Sequence, residues 1–304
     1  MILKTPPYLK KGDTIGLICP AGFMPAENTK VCIEILKNWG FNVKVGKTVG
    51  QQSHYFSGED AERLQDLQDM LDDPSVCAIL CARGGYGCSR IVDEINWNAF
   101  RKNPKWLIGF SDITVFNNHL YQKLKTSSIH GPMAGAFHKA GGEDAYILTI
   151  RKALSGRKMS YKTEPHGMNK FGKVSGPLVG GNLSILAHLV GTPSFPDTKD
   201  CLLFLEDVGE YLYNVDRMLL QLDRAGKLHH LGGLIIGGFS DCKDTVVGFG
   251  KNIYEIIQNR VAPYSFPIAY GFPVSHEKEN VALKIGVVHH LQVTKSGVVL
   301  REAK

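Results

Sequence analysis

The stretch WLIGFSDIT, residues 106–114, has the pattern of a strand that ends at a glycine, a turn that carries a serine, and the start of a helix. A sharp turn of this kind lifts a serine hydroxyl out of a sheet, and the following helix N-terminus stabilises negative charge beside it. The layout resembles a nucleophile elbow, although Ile113 stands where G-x-S-x-G has its last glycine. A serine and an aspartate after a strand also serve as a helix cap, so both interpretations of Ser111 stay open.

Strand and helix patterns alternate on the N-terminal side of this stretch. Strands are predicted at Thr14–Cys19, Phe41–Val45, Val76–Cys81 and Lys105–Ile108, and helices near Glu27–Trp39, Tyr86–Ile95 and Asp112–Leu124. Another helix is predicted through Leu64, Leu67 and Leu71, after a capping-box spacing at 57–60. Repeated strand–helix units predict a parallel sheet with helices on both faces. Ligands bind such sheets at the carboxyl ends of the strands, which directs attention to the loops after Cys81 and Ile108.

On the C-terminal side the periodicity fades over residues 151–176, and we interpret this segment as a linker between domains 1–150 and 177–304. The second domain is predicted to contain a helix that starts at Asn182, a strand at Cys201–Leu205, a helix at Asn214–Leu222, a strand at Leu234–Ile236 and a hairpin turned at 295–297. The sequence therefore predicts two α/β domains.

Composition excludes several classes of protein. With 304 residues, 43% hydrophobic and 21% charged, the chain is typical of soluble globular proteins and long enough for two domains. No apolar run approaches the ~20 residues of a membrane-spanning helix, and residues 1–11 lack the apolar core of a secretory signal, so we expect a cytoplasmic protein without membrane contact. Seven cysteines without CxxC spacing favour reduced thiols over disulfides or a metal site.

The formal net charge of +6 is spread along the chain rather than clustered with aromatic residues. This distribution argues against nucleic-acid binding and favours an anionic substrate, such as one with a free carboxylate.

The segment ARGGYG, residues 82–87, follows the strand that ends at Cys81. Paired glycines let backbone amides point at a ligand, as in an oxyanion hole or a phosphate cradle. The spacing differs from that of G-x-G-x-x-G and of the P-loop, which argues against a nucleotide site. A tight turn that requires positive φ is the alternative interpretation.

Two further segments carry groups that could support a serine nucleophile. Glu206 and Asp207 follow an apolar strand, where either could orient a histidine or simply cap the next turn. His276 follows a short strand in a turn rich in glycine and proline, but it is one of eleven histidines. Taken in order, Ser111, Glu206 and His276 have the serine–acid–histidine order of one known triad class.

Together these segments resemble the LD-carboxypeptidase family, serine peptidases that include muramoyl-tetrapeptide carboxypeptidases and microcin C self-immunity peptidases. The resemblance rests on CPAG at 19–22, ARGGYG at 82–87, NPKWLIGFSDIT at 103–114, HGPM at 130–133, GGNLS at 180–184, LFLEDVGE at 203–210 and GFPVSHEKEN at 271–280. These motifs cover nearly the whole chain in the family's order.

The resemblance implies an N-terminal Rossmann-like α/β domain, a smaller C-terminal α/β domain, and catalysis that needs both domains. It assigns Ser111 as nucleophile, His276 as general base and Glu206 as the acid that orients the histidine. The backbone amides of Gly85 and Asp112 would form the oxyanion hole. Substrate contacts are expected from Arg83, Gly84, Tyr86 and Asn182. We expect Asp207, in contrast to Glu206, to turn away into the next loop.

The family's activity is to cleave an L,D peptide bond and release a C-terminal D-amino acid from a murein tetrapeptide. No metal or cofactor is expected, and the partners implied are a small peptide substrate and a second copy in a homodimer. Two departures from the family stand out: Ser275 replaces the usual glycine before the histidine, and His166–Gly176 lacks the tryptophan-bearing insertion of the microcin peptidases. The second departure favours peptidoglycan peptides over an aminoacyl-nucleotide amide.

Two other classes of function remain as alternatives. One is a non-catalytic two-domain protein that binds a small ligand, and the complete triad order argues against it. The other is a nicotinamide-dependent oxidoreductase, which the spacing of the glycine loop disfavours.

Overall fold

The first half of the chain builds a parallel sheet covered by helices. The computed structural model describes residues 3–303, and residues 3–157 form one compact unit together with Val281–Lys284. Its strands are β1 (Thr14–Ile18), β2 (Asn42–Val45), β3 (Val76–Cys81), β4 (Trp106–Ile108) and β5 (Ser128–His130). Its helices are α1 (Lys30–Asn38), α2 (Asp60–Asp72), α3 (Cys88–Ile91), α4 (Asn98–Lys102), α5 (Thr114–Leu124), α6 (Ala134–Ala140) and α7 (Ile147–Leu154).

Strand order locates the binding edge of this sheet. The strands run β2-β1-β3-β4-β5 and pair in parallel, which confirms the predicted parallel α/β sheet. The order reverses between β1 and β3, and in doubly wound sheets ligands bind beyond the carboxyl ends at such a switch point. The CPAG segment follows β1 and the ARGGYG segment follows β3. Both loops therefore lie at the expected binding edge.

The start of α2 differs in detail from the prediction. The helix begins at Asp60, and the Glu62 carboxylate accepts a hydrogen bond from the Glu59 backbone N–H at 2.7 Å, so the cap lies two residues later than Ser57. Ser57 is buried instead, and its hydroxyl donates to the carbonyl of Gly22 at 3.1 Å. The serine thus anchors the CPAG loop rather than the helix.

The second unit contains residues 158–280 and 285–303. Its elements are β6 (Ser160–Thr163), β7 (Gly172–Asn182), α8 (Leu183–Leu189), β8 (Leu202–Val208), α9 (Leu212–Arg224), β9 (Gly233–Ser240), α10 (Ile253–Val261) and β10 (Ile268–Ala269). After the intervening strand β11 (Leu283–Ile285) follow β12 (Val288–Thr294) and β13 (Gly297–Glu302), which form the predicted hairpin. The seven-stranded sheet has the order β10-β9-β8-β7-β12-β13-β6, parallel from β10 to β7 and antiparallel beyond it.

Residues 151–176 are not a simple linker, and the unit boundary falls after Arg157. The segment contains the end of α7, all of β6 and the start of β7. Strand β6 is an edge strand, and the first half of β7 alternates between partly and fully exposed residues such as Lys173 and Ser175. Glycines fill two of the three less exposed positions over 172–176, so the alternation expected of a one-sided strand leaves little apolar signal in the sequence.

Strand β11 is a second departure from the predicted domain boundaries. Although it lies late in the sequence, it joins the sheet of the first unit beside β5.

Within residues 3–303, every helix is too short or too polar to cross a membrane.

Candidate active site

Ser111 lies on a strained turn between β4 and α5. Its φ of 62° is in the left-handed region, which residues other than glycine rarely adopt. The chain enters a short 3-10 helix at Ser111–Ile113 and continues directly into α5. The side chain is half-buried. A strained serine between a strand and a helix is the geometry of a nucleophile elbow.

The glycine loop packs directly against this serine. A Cβ atom at Gly84 would lie 2.9 Å from Cβ and 3.1 Å from Oγ of Ser111, closer than carbon contacts allow. The next residue, Gly85, has a φ of 105°, which L side chains rarely adopt. Gly84 is therefore required because a side chain there would collide with Ser111, and Gly85 is required because of its positive φ.

Three hydrogen bonds hold the glycine loop in place. The Gly22 amide donates to the carbonyl of Gly84 at 3.0 Å, and the Cys88 amide donates to Oδ2 of Asp112 at 2.8 Å. The guanidinium of Arg63 donates to the carbonyl of Gly87 at 3.2 Å. The carboxylate of Asp112 thus connects the loop to the turn that carries Ser111.

The buried Arg63 was missed by the sequence analysis. Its guanidinium also donates to the carbonyl of Pro20 at 2.7 Å and to that of Gly58 at 3.3 Å, so one side chain connects three loops. The available signal was its spacing with Leu67 and Met70, which places an arginine on the buried face of α2.

The two predicted oxyanion donors lie in this cluster. The amide nitrogen of Asp112 is 3.3 Å from the Cβ position of Gly84, so it borders the loop. Among the hydrogen bonds within residues 3–303, none uses the amide of Gly85 as a donor. Backbone amides beside a serine hydroxyl are the donors that a tetrahedral oxyanion requires.

Glu206 and His276 form a hydrogen-bonded pair in the second unit. Nδ1 of His276 donates to Oε2 of Glu206 at 2.6 Å. The glutamate side chain is 0% exposed and the histidine side chain 16% exposed. A carboxylate that accepts from Nδ1 fixes the ring orientation and makes Nε2 the nitrogen that can accept a proton.

Asp207 does not turn away into a loop, which corrects the prediction. Strand β8 continues to Val208, and the buried Asp207 carboxylate accepts hydrogen bonds from Nδ2 of Asn182 at 2.7 Å and from the Ser184 amide at 2.9 Å. Burial and the neighbouring Glu206 raise the pKa of Asp207 to about 7. Because side chains alternate along a strand, the two adjacent acids serve different surroundings.

Ser275 is accommodated in the turn before His276. Its hydroxyl donates to the carbonyl of Glu279 at 3.0 Å and accepts from the Glu277 amide at 3.0 Å. Its φ is not positive, so the backbone does not require glycine at this position. The serine stabilises the turn through local hydrogen bonds.

The predicted substrate-binding residues fall into two groups. Arg83 and Tyr86 are exposed on the glycine loop, where the arginine donates to the Phe23 carbonyl and the tyrosine ring lies 6.0 Å from that of Phe56. Asn182 is buried and caps α8, because its Oδ1 accepts from the Ile185 amide at 3.1 Å. Nδ2 of Asn182 donates to Asp207, so both ends of its amide bond to groups of the second unit, whereas Gly84 contacts Ser111.

The cysteines near the glycine loop are buried, which disfavours them as nucleophiles. Burial raises the pKa of the Cys81 and Cys88 thiols well above the usual range, and it raises that of Cys19 to about 12. All seven cysteines are free thiols. Among residues 3–303, no group of three or more histidine, cysteine or acidic side chains could hold a metal ion.

Family models match both halves of the chain. The model described as the LD-carboxypeptidase N-terminal domain matches residues 15–131, and the one described as the LD-carboxypeptidase C-terminal domain matches residues 175–291. The chain belongs to the LD-carboxypeptidase family.

Individual relatives agree with this assignment. A Bacillus subtilis protein named probable murein peptide carboxypeptidase is 35% identical over 286 residues, which cover 92% of this chain and 89% of the relative. The crystal structure of muramoyltetrapeptide carboxypeptidase from Oxalobacter formigenes has a TM-score of 0.87 at 30% identity, covering 96% of this chain and 99% of that one. The Escherichia coli microcin C7 self-immunity protein MccF is 25% identical over 317 residues, covering 92% and 90%.

These findings confirm the predicted family, the two-domain α/β fold with its smaller second domain, and the assignment as a serine carboxypeptidase. Within this LD-carboxypeptidase, the first unit contains Ser111 with its glycine loop, and the second contains the Glu206–His276 pair.

Proposed function

We propose that this LD-carboxypeptidase cleaves the L,D peptide bond that releases a C-terminal D-amino acid from a muropeptide, with Ser111, His276 and Glu206 as its triad. The observation that carries the proposal is the 2.6 Å hydrogen bond between the buried Glu206 carboxylate and Nδ1 of His276. The names of the Bacillus and Oxalobacter relatives support the substrate class.

In the proposed first step, Oγ of Ser111 attacks the carbonyl carbon of the L-configured residue, and Nε2 of His276 takes the hydroxyl proton. The Glu206 carboxylate holds the ring in the tautomer that can accept this proton and stabilises the imidazolium that forms. The strained turn favours this role because it keeps the hydroxyl away from the strand that precedes it.

The tetrahedral intermediate places a negative charge on the former carbonyl oxygen. We assign the amides of Gly85 and Asp112 as its donors, each worth ~3 kcal/mol of barrier by comparison with known oxyanion holes. The intermediate collapses when the C–N bond breaks, and His276 returns its proton to the departing amine of the D-amino acid.

A water molecule completes the cycle. His276 removes a proton from the water as its oxygen attacks the acyl-enzyme, and the proton then returns to Oγ of Ser111 when the ester bond breaks. The shortened peptide leaves with a new carboxylate. The proposed reaction steps use no redox group or metal. The net charge of +6 favours binding of such anionic peptides.

We further propose that the enzyme works in the cytoplasm as a homodimer. The seven free thiols support a reducing compartment. The homodimer rests on the family resemblance, and sedimentation equilibrium of the purified chain tests it.

The decisive experiment offers the purified enzyme two substrates and follows both by mass spectrometry. A murein tetrapeptide should lose one D-alanine, whereas an aminoacyl-nucleotide amide of the microcin type should stay intact. Turnover of the nucleotide amide alone would favour the microcin-type activity, to which the MccF similarity points. Absence of turnover on both, together with tight binding of either, would favour a non-catalytic binding protein.

A further inference from the structure

The segment that carries His276 has to cross a neighbouring strand to reach Glu206. Strand β9 lies between β10 and β8 in the sheet. After β10 the chain continues along β9, because the Phe272 amide donates to the carbonyl of Ile236 at 3.0 Å. Glu206, however, belongs to β8, on the far side of β9. Val274 still pairs with β9, because the Gly238 amide donates to its carbonyl at 2.8 Å. Ser275 and His276 therefore reach across the end of β9 to make the 2.6 Å contact of His276 with Glu206.

Strand β9 is irregular at the crossing point. Leu205 pairs with Ile236, but Asp207 pairs with Phe239, so β9 contains one extra residue opposite Glu206. This is a β-bulge, a feature that redirects side chains and is over-represented next to active sites. The extra residue falls at Gly237–Gly238, directly beside the acid of the proposed triad.

Both glycines of the bulge lie against residues 274–275. A Cβ atom at Gly237 would lie 2.2 Å from the carbonyl oxygen of Val274 and 3.3 Å from Cβ of Glu206. A Cβ atom at Gly238 would lie 2.6 Å from Cβ of Ser275. Neither glycine has a positive φ, so backbone conformation does not require glycine here. Glycine is required here because any side chain would collide with residues 274 and 275.

We propose that Gly237 and Gly238 are positioning residues, which let residues 274–276 approach β9 closely enough for His276 to bond Glu206. The inference rests on the proposed function, because it concerns the base of the same reaction. Contacts between carbon atoms are normally 3.5–4.0 Å, so a methyl group at Gly238 would displace Ser275 by about 1 Å. A displacement of that size at a reacting group can cost about 100-fold in rate.

The test is a double-mutant cycle on the Gly238–Ser275 contact. Gly238→Ala should lower kcat about 100-fold on the tetrapeptide with KM within about threefold. Ser275→Gly removes the Cβ atom that the new methyl group meets, so the double variant should regain most of the kcat of Ser275→Gly alone. Gly237→Ala should not be rescued by Ser275→Gly, because its methyl group meets the backbone carbonyl of Val274 instead.

Proton NMR of the same variants provides a readout that does not depend on turnover. The Nδ1 proton of His276 bonds to Glu206 and so exchanges slowly with water. Its resonance should lie far downfield in the wild type and disappear in Glu206→Gln. It should also be lost in Gly238→Ala and return in the double variant. The matched control is Gly167→Ala in the same unit, where the new methyl group meets nothing within 4 Å and should change neither kcat nor the resonance.

The outcomes separate the two proposals. A wild-type enzyme that does not cleave the tetrapeptide would refute the proposed function, while the resonance would still report on the placement of His276. A Gly238→Ala variant with wild-type kcat and resonance would overturn the inference. A double variant whose stability or kcat is no better than that of Gly238→Ala would also overturn the inference.

Discussion

At Ser111 the backbone conformation and the packing of the neighbouring loop act together. A left-handed φ costs an L residue roughly 1–2 kcal/mol, and such strain is retained at sites where function requires it. The contact with Gly84 leaves no room for any larger residue on the loop. The hydroxyl is thus held in one place, at some cost in stability.

We predict that Ser111→Ala and Ser111→Gly both lose more than about 1000-fold in kcat, because each removes the proposed nucleophile. The two variants should differ in stability. Glycine adopts the left-handed conformation without strain, so Ser111→Gly should be about 1 kcal/mol more stable than Ser111→Ala. Urea unfolding and tetrapeptide assays check both statements. A tenth of wild-type turnover in either purified variant would contradict the assignment.

The second residue-scale prediction distinguishes the two adjacent acids. Glu206→Gln should preserve the shape of the pair but favour the imidazole tautomer whose Nε2 already carries a proton. That nitrogen cannot accept the proton of Ser111, so kcat should fall by about 10⁴-fold. Asp207→Asn should lower kcat far less, because its carboxylate bonds Asn182 and the Ser184 amide rather than His276. Steady-state kinetics of both variants decide the matter, with circular dichroism as the folding control. A larger kcat loss in Asp207→Asn would move the triad acid by one residue.

At the scale of single elements, strand β8 shows what the sequence could and could not predict. Its apolar run predicted a strand, and the family resemblance selected Glu206 as the acid. The strand extends three residues beyond the predicted end at Leu205, because acids near a strand end resemble a cap in sequence. Only the paired strands reveal that Asp207 is buried and that β9 bulges beside Glu206.

The buried carboxylate of Asp207 makes stability depend on pH. Its pKa rises from 3.8 to about 7 on folding, so the folded protein binds this proton more tightly than the unfolded chain. The contribution of Asp207 to the free energy of unfolding is therefore fully present below about pH 4. It falls as the pH rises towards 7, by at most about 1.4 kcal/mol per pH unit.

Asp207→Asn removes that titration. The free energy of unfolding of the wild type minus that of Asp207→Asn should decrease steadily between pH 4 and pH 7, as measured by urea unfolding at several pH values. A difference that is constant, or that increases over this range, would show that Asp207 ionises normally in the folded protein.

At the scale of the whole molecule, the chain does not divide at one point. It leaves the first unit after Arg157, returns for Val281–Lys284, and then completes the second unit. The sequence pattern predicts one domain for the whole C-terminal part, because a three-residue strand such as β11 is too short to show a period. Pairing with a distant strand is a tertiary property that local patterns do not contain.

The last prediction tests where β11 belongs. Leu283 is fully buried and lies in the strand beside β5, so Leu283→Ala should destabilise the first unit by about 2–5 kcal/mol. Amide hydrogen exchange followed by mass spectrometry should then rise in peptides that contain β5 and stay unchanged in the β12–β13 hairpin. The matched control is Leu291→Ala, an equally buried leucine of β12, which should have the reverse effect. If Leu283→Ala instead increased exchange in the hairpin and left β5 protected, the strand would belong energetically to the second unit, and the chain would divide near Arg157 alone.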